Sequence, residues 1–109
     1  MDKSTIKPPP NLSAATKRWF AHIATTYELE SHHLRLLELA GRSWDRAEQA
    51  RKVLKREGVV TIDRYGQTKA HPCINIERDS QLRFARLIRE LNLDEDQPGP
   101  RPPRIGGRE

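Results

Sequence analysis

The sequence predicts a mainly α-helical protein with an N-terminal helical hairpin, a short β-hairpin, a C-terminal helix and disordered termini. Apolar residues recur every three or four positions in two stretches before the β-hairpin and one after it, which is the spacing of amphipathic helices. Between the second and third of these stretches stands a β-branched run that ends in a Gly-containing turn. The proline-rich segments at both ends cannot bury enough apolar surface to order themselves.

Length and composition indicate one small domain with a thin core. Of 109 residues, 35% are hydrophobic and 32% are charged, so apolar side chains are scarcer than in an average globular domain. We expect a disordered arm at 1–10, a helical domain at 11–93 and a disordered Pro/Gly-rich tail at 94–109. A domain of this size buries only about 60–70% of its unfolded surface, so self-association is a natural way to bury more.

The first helix follows the proline-rich arm, and either Asn11 or Ser13 has a side chain suited to an N-terminal cap. Its apolar positions fall on one stripe at helical spacing. Two large aromatic residues, Trp19 and Phe20, belong to that stripe. Because large aromatics supply much of the buried area in a thin core, we predict both in the core or in a subunit contact.

The second helix is predicted from Ser31 to Glu57, with Ser31 as its cap. Leu37 and Trp44 lie on its main apolar stripe, and we predict both in the core or in a subunit contact. The apolar face is wide in the first half, so we expect it to contact the first helix and another subunit. Gly41 within this face costs about 1 kcal/mol relative to Ala, which indicates close packing or a bend.

A β-hairpin is predicted between the second and third helices. Val59–Ile62 has the β-branched content of a strand, Asp63–Gly66 is a turn signal, and Gln67–His71 can return as the second strand. A lone hairpin is only marginally stable, so we expect it to pack on a helix or to pair with a neighbouring subunit. Pro72 ends the second strand and suits a helix entry, with His71 as a cap or hairpin contact.

The last helix is predicted over Asn75–Asn92, with Phe84 on its apolar stripe. Phe84 therefore joins the residues that we predict in the core or in a subunit contact. Arginines line the other faces, so we interpret this helix as half core and half interaction surface. Asp79 and Arg83 stand four residues apart, in the favourable order for an ion pair.

Positive charge is concentrated in the predicted domain. The formal net charge is +5, and the segment between arm and tail carries fifteen Lys and Arg against ten Asp and Glu. A basic folded part favours a polyanionic partner, most often nucleic acid. We predict phosphate contacts from eight residues of the first two helices: Lys17, Arg18, Arg42, Arg46, Arg51, Lys52, Lys55 and Arg56. For the last two, the helix dipole is an equally good explanation, since it favours cations at a helix C-terminus.

The residue types predict no catalytic centre, no metal site and no cofactor. His22, His32 and His33 have the wrong spacing for a closed zinc site, and a single Cys supplies no Cys pair. His71 beside Cys73 lacks an oxyanion hole, and no Gly-rich phosphate loop is present. One Cys allows no disulfide within the chain, and neither a membrane span nor a signal peptide is recognised. We therefore expect an intracellular protein with no membrane contact.

A family resemblance is carried by residues 63–93. Residues 63–72 read Asp-Arg-Tyr-Gly-Gln-Thr-Lys-Ala-His-Pro, and they are followed by Arg78-Asp79-Ser80, Phe84 and Arg89-Glu90-Leu91-Asn92-Leu93. The combination resembles the small subunit of tailed-phage terminases of the P27 type. In that family a Gly turn, a Lys-x-His-Pro and a closing helix ending in Arg-Glu-Leu-Gly-Leu follow two N-terminal helices.

The chain departs from the family pattern at two places. Asn92 replaces the last Gly of the closing helix, and Asn also tolerates a left-handed helix end. The family usually continues with a Pro and an Arg, whereas this chain continues with the acidic residues 94–96. The order of the elements nevertheless matches over the whole predicted domain.

The resemblance implies a DNA-packaging protein that is not an enzyme. Such a small subunit forms a ring-like homo-oligomer, here expected to be larger than a tetramer, in the cytoplasm of the bacterial host. It recognises viral double-stranded DNA and delivers it to the terminase large subunit, which holds the ATPase and the nuclease. The mechanism that follows is avidity, in which many weak basic surfaces on one ring bind one DNA.

Two other interpretations of the sequence stay open. One is a small transcriptional regulator of the helix-turn-helix type, although the second helix is long for a compact recognition helix. A dimer that binds palindromic DNA would favour it. The other is an adaptor of phage assembly that does not bind DNA, which salt-insensitive binding to a protein partner would favour.

Overall fold

A computed structural model describes residues 6–93 of the protein. Within this range the predicted mainly helical fold with a short antiparallel hairpin is confirmed. The first five residues of the predicted arm and the whole predicted tail lie outside the described residues. The elements, in chain order, are α1 (Ala14–Thr26), α2 (Ser31–Glu57), β1 (Val60–Ile62), β2 (Thr68–Ala70) and α3 (Pro72–Leu91).

The last part of the predicted arm contacts the folded domain. Residues 6–9 form neither helix nor strand, as expected for a proline-rich segment. Ile6, however, is half-buried against the core cluster. The expectation that the arm has no core to join therefore does not hold at Ile6, because its apolar side chain gains more from burial than from exposure.

Helix α1 begins at the second of the two predicted caps. The Oγ of Ser13 accepts a hydrogen bond of 3.2 Å from the backbone N–H of Thr16, so Ser13 is the N-cap. Phe20 and Ala24 are buried on the inner face of the helix, and Leu12 is buried just before it. These side chains join Leu37 of α2 and Leu91 of α3 in the main core cluster.

Helix α2 has the predicted bounds but a different cap. Glu30 is the N-cap, and its backbone N–H donates to Nδ1 of His33 at 3.3 Å. Ser31, which was predicted as the cap, is the first helical residue instead, because the His33 ring accepts the hydrogen bond from the backbone N–H of Glu30. The helix ends at Gly58, whose φ of +86° is a conformation that favours glycine.

Helices α2 and α3 run antiparallel and form the main body of the fold. His71, at the start of α3, contacts Glu57 at the end of α2, whereas Leu91 at the end of α3 packs in one cluster with Leu37 near the start of α2. The wide apolar face of α2 was predicted to contact α1 and another subunit. In the structure this helix also packs against α3, and the contact with another subunit stays a prediction. A row of small buried residues lets α3 approach closely: Ala40, Ser43, Ala47, Ala50 and, on α3, Ser80.

Five large side chains were predicted in the core or in a subunit contact, and they are buried to different degrees. Phe20 and Leu37 are buried, and Trp19 and Phe84 are half-buried. Trp44 is 46% exposed and lies against Phe84 at the margin of the α2–α3 contact. The close approach of the two helices at small residues leaves no space for an indole between them, so the ring lies at the edge of the contact.

The β-hairpin is largely exposed. Val60 pairs with Ala70 and Ile62 with Thr68 in antiparallel register, and the side chains of both strands are mostly exposed. In the turn, the Asp63 carboxylate accepts hydrogen bonds from two backbone N–H groups, which hold its pKa below the usual value, chiefly through the bond from residue 67. The helices thus cover little of the hairpin within residues 6–93, and its pairing with a neighbouring subunit stays a prediction.

Helix α3 begins earlier than predicted, at Pro72 instead of Asn75, and ends in the left-handed residue Asn92. A Pro at the first helical position costs no backbone hydrogen bond, so the helix can include it. The predicted ion pair between Asp79 and Arg83 is absent. Asp79 instead contacts the guanidinium of the adjacent Arg78 at 3.4 Å, since both side chains are exposed and free to meet.

Candidate nucleic-acid interface

The eight basic residues predicted to contact phosphates do not share one face. Their side chains are exposed, except for that of Lys17, which is half-buried. Arg42 and Arg51 are nine residues apart, so at about 100° per residue they lie on opposite sides of α2. The α2 residues form two groups, Arg42 with Arg46 near the middle of the helix and four residues at its C-terminal end: Arg51, Lys52, Lys55 and Arg56.

Three of these arginines are already paired with glutamates. The N–O distances lie between 2.7 and 3.3 Å in the pairs Arg42–Glu38, Arg51–Glu48 and Arg56–Glu57. The hydrogen bond from Arg51 is the largest cause that holds the pKa of Glu48 below its usual value. Exposed ion pairs add little stability, but a paired arginine must leave its glutamate before it can contact a phosphate.

The other five predicted residues make no ion pair within residues 6–93. They are Lys17 and Arg18 on α1, and Arg46, Lys52 and Lys55 on α2. Cations that make no ion pair can neutralise phosphates without first breaking one. Of the predicted set, these five residues are therefore the best suited to bind a polyanion.

An apolar groove lies where α1 meets the α2–α3 pair. Phe84 is at its centre, with ring centroids 5.9 Å from Trp19 and 5.1 Å from Trp44. Ala15 and Thr16 complete the lining, which contains no charged side chain. The groove unites three of the five residues that the sequence assigned to core or subunit contact. It offers apolar surface to a partner, and the hydroxyl in its lining, that of Thr16, donates to Asp45 at 2.6 Å.

Sequence reasoning left the arginines of α3 out of the candidate site. Arg83, Arg86 and Arg89 are exposed and make no ion pair within the described part of the chain. Arg78 is also exposed, and among residues 6–93 it forms an ion pair with Asp79 alone. The signal that could have found them was present, because the arginines fall between the positions of the apolar stripe. These arginines were left out because the predicted phosphate contacts were chosen from the first two helices alone.

Neither a metal cluster nor a membrane span occurs between residues 6 and 93. No three His, Cys, Asp or Glu side chains there are grouped so that they could hold a metal ion. None of the described helices combines the length and the hydropathy that crossing a membrane requires. Cys73 is a free thiol at the start of α3 and is half-buried.

Comparison with protein-family models, with curated proteins and with solved structures found no match to this chain. The functional interpretation therefore depends on the chemistry of the surface and on the resemblance noted for residues 63–93. The described surface has more basic than acidic side chains, an apolar groove and an exposed hairpin.

Proposed function

We propose that this chain is the small subunit of a tailed-phage terminase, a DNA-binding homo-oligomer that recognises viral DNA for packaging and delivers it to the large subunit. The large subunit would supply the ATPase and the nuclease. The resemblance of residues 63–93 to that family supports the proposal. The chain itself acts by binding and carries out no covalent chemistry.

The single observation that carries DNA binding is the excess of unpaired cations on the surface. The predicted residues that make no ion pair within residues 6–93 are Lys17, Arg18, Arg46, Lys52 and Lys55. Each phosphate contact by such a residue releases condensed counterions, so affinity falls steeply with salt. A monomer presents few contacts of this kind on any one face, and a ring of copies multiplies them on one duplex by avidity.

Two surfaces support self-association in this proposal. The apolar groove exposes nearly half of the Trp44 side chain, and the hairpin exposes 70% of Ile62. Exposed apolar groups of this size on a small domain are suited to contacts with another protein. Assembly would bury them and would add to the thin core of the isolated chain.

Light scattering of the purified full-length chain, alone and with a DNA duplex, tests the proposal. A closed oligomer larger than a tetramer that binds the duplex in a salt-dependent manner is the expected result. A dimer that binds only palindromic DNA would favour the helix-turn-helix regulator. No affinity for DNA at low salt, together with salt-insensitive binding to a protein partner, would favour the assembly adaptor and would overturn the proposal.

A further inference from the structure

The outer face of α3 carries a row of exposed residues, the α3 outer row, that consists of Arg78, Leu82, Arg86 and Arg89. Ser80 is buried on the side of α3 that packs on α2. At about 100° per residue, each member of the row lies at least about a third of a turn away from Ser80. The row therefore lies on the side of α3 away from its contact with α2.

The charge of this face is positive and largely uncompensated. Arg86 and Arg89 make no ion pair within residues 6–93, and Arg78 has a single contact of 3.4 Å with the exposed Asp79. Arg83 adds an unpaired cation on the flank of the row. Glu90 is the other acid on this side, and it pairs with none of these arginines. This side of α3 therefore carries four arginines and two exposed carboxylates.

We propose that the α3 outer row is the principal contact of this protein with double-stranded DNA. The inference rests on the proposed DNA-binding function, and it moves the main site from α2 to α3. From Arg78 to Arg89 the row extends about 16 Å along the helix axis, which is enough to reach several phosphates of one strand. The major groove of B-DNA, about 12 Å wide, admits an α-helix whose outer face is free.

The residue types of the row fit a duplex better than a single strand. Arginine presents a planar fork of donors that matches phosphate oxygens and base edges. Leu82 is 60% exposed among the arginines, where it can contact a sugar or a thymine methyl group. Single-stranded nucleic acid is bound by stacking on exposed aromatic rings. The aromatic residue of α3, Phe84, faces Trp19 and Trp44 instead of the outer face.

A pair of matched triple variants tests this assignment. The first removes the arginines of the row, as Arg78→Gln, Arg86→Gln and Arg89→Gln. The second removes the three arginines that are already paired with glutamates, as Arg42→Gln, Arg51→Gln and Arg56→Gln. Both variants change the net charge equally. The affinity of each full-length chain for a labelled duplex is measured by fluorescence anisotropy over a range of salt concentrations.

We expect the row variant to lose about tenfold or more in affinity and to flatten the log–log salt dependence by about one unit per lost contact. The paired-arginine variant loses much less. Circular dichroism of both variants checks that the helices are retained. The single variants Arg86→Gln and Arg89→Gln test the same contact with a smaller change of sequence and charge. Each single variant should flatten the slope by about one unit.

Equal losses in the two triple variants would mean that only net charge matters, and would overturn the assignment. A row variant that binds the duplex like the wild type would overturn it too, although the proposed DNA-binding function would stand. Tighter binding of a single strand than of the duplex would also contradict it. If the wild-type chain fails to bind any duplex at low salt, the proposed function itself fails, and this inference fails with it.

Discussion

The imidazole of His71 joins the start of α3 to the end of α2, because its Nε2 lies 2.8 Å from Oε1 of Glu57. On the other side of the ring, Nδ1 accepts a hydrogen bond of 3.0 Å from the backbone N–H of Cys73. An accepting Nδ1 carries no proton, so the neutral ring has its proton on Nε2 and donates it to Glu57. One buried side chain therefore caps α3 and ties together the two helices that flank the hairpin.

Glu57→Gln should lower stability at neutral pH and have a diminishing effect in acid. The hydrogen bond from His71, and after it the one from Arg56, holds the pKa of Glu57 below its ordinary value of 4.5. A group whose pKa is lowered by folding stabilises the protein fully above the unfolded pKa and loses that effect as the pH falls through the folded value. The difference between the melting temperatures of the two chains should therefore begin to shrink as the pH falls below 4.5, and it should vanish below the folded pKa of Glu57. A difference that stays constant down to a pH of about 3 would contradict this expectation.

His71→Ala should destabilise the protein, and His71→Asn should recover part of the loss. Alanine removes the N-cap of α3 together with the bond to Glu57, and the loss of a cap costs about 0.5–2 kcal/mol. Asparagine can still accept from the N–H of Cys73 but is too short to replace the imidazole at Glu57. Urea denaturation of the three chains gives the order of stability. Equal stability of the two variants would show that the cap contributes nothing.

The helices and the cap of α1 could be predicted from the sequence because local residue types determine them. Ser13 accepts from an N–H of its own helix, and Pro72 fits the first position of a helix for a reason that does not depend on the rest of the chain. The bounds of α2 likewise follow from its apolar spacing and from Gly58. These properties belong to the segments themselves, so no knowledge of their neighbours was needed.

The packing partners could not be predicted in the same way. The apolar pattern shows that Trp44 lies on a face, but it does not show which neighbour covers that face or how closely. The small residues that bring α3 close to α2 also exclude the Trp44 ring, and that effect depends on two segments at once. The candidate site was incomplete for a related reason. Arg86 and Arg89 were expected off the apolar stripe of α3, but their lack of ion pairs within residues 6–93 is evident only from the structure.

Gly41→Ala should fail to give the stabilisation that this change usually brings in a helix, about 1 kcal/mol. A Cβ at this position would lie 3.0 Å from Cγ2 of Thr16 and 3.3 Å from a methyl group of Leu12. Thr16 cannot easily move, because its Oγ1 donates to Asp45 at 2.6 Å. We therefore expect a net loss of stability in thermal or urea denaturation.

Thr16→Ser is the matched change for this test, because it removes Cγ2 and keeps the hydroxyl that bonds Asp45. Adding Gly41→Ala to a chain that already carries Thr16→Ser should cost less than adding it to the wild type. An equal cost in the two backgrounds would indicate that Leu12, and not Thr16, limits the space at Gly41. Clear stabilisation by Gly41→Ala alone would refute the close contact.

Trp44→Ala should weaken self-association more than it affects folding. The side chain is 46% exposed and lies at the margin of the α2–α3 contact, so the fold loses only its contacts with Phe84 and the groove. Phe20→Ala is the control for a core position, because Phe20 is buried and a Phe→Ala change in a core costs about 3–5 kcal/mol. Light scattering and circular dichroism on the same samples separate the two effects. A Trp44→Ala chain with unchanged mass in solution would exclude the groove from the subunit contact.

Replacement of Arg46, Lys52 and Lys55 by glutamine should weaken duplex binding and flatten its salt dependence by up to about one unit per residue. These three cations of α2 make no ion pair within residues 6–93, so any phosphate contact they form requires no ion pair to break. The variant with Arg42, Arg51 and Arg56 replaced is again the matched control, since each of those arginines has a glutamate within 3.3 Å. Anisotropy titrations at several salt concentrations give both slopes. Equal reductions of the salt-dependence slope by the two sets would show that ion pairing does not select the cations that contact DNA. A slope that neither set changes would exclude α2 from the interface.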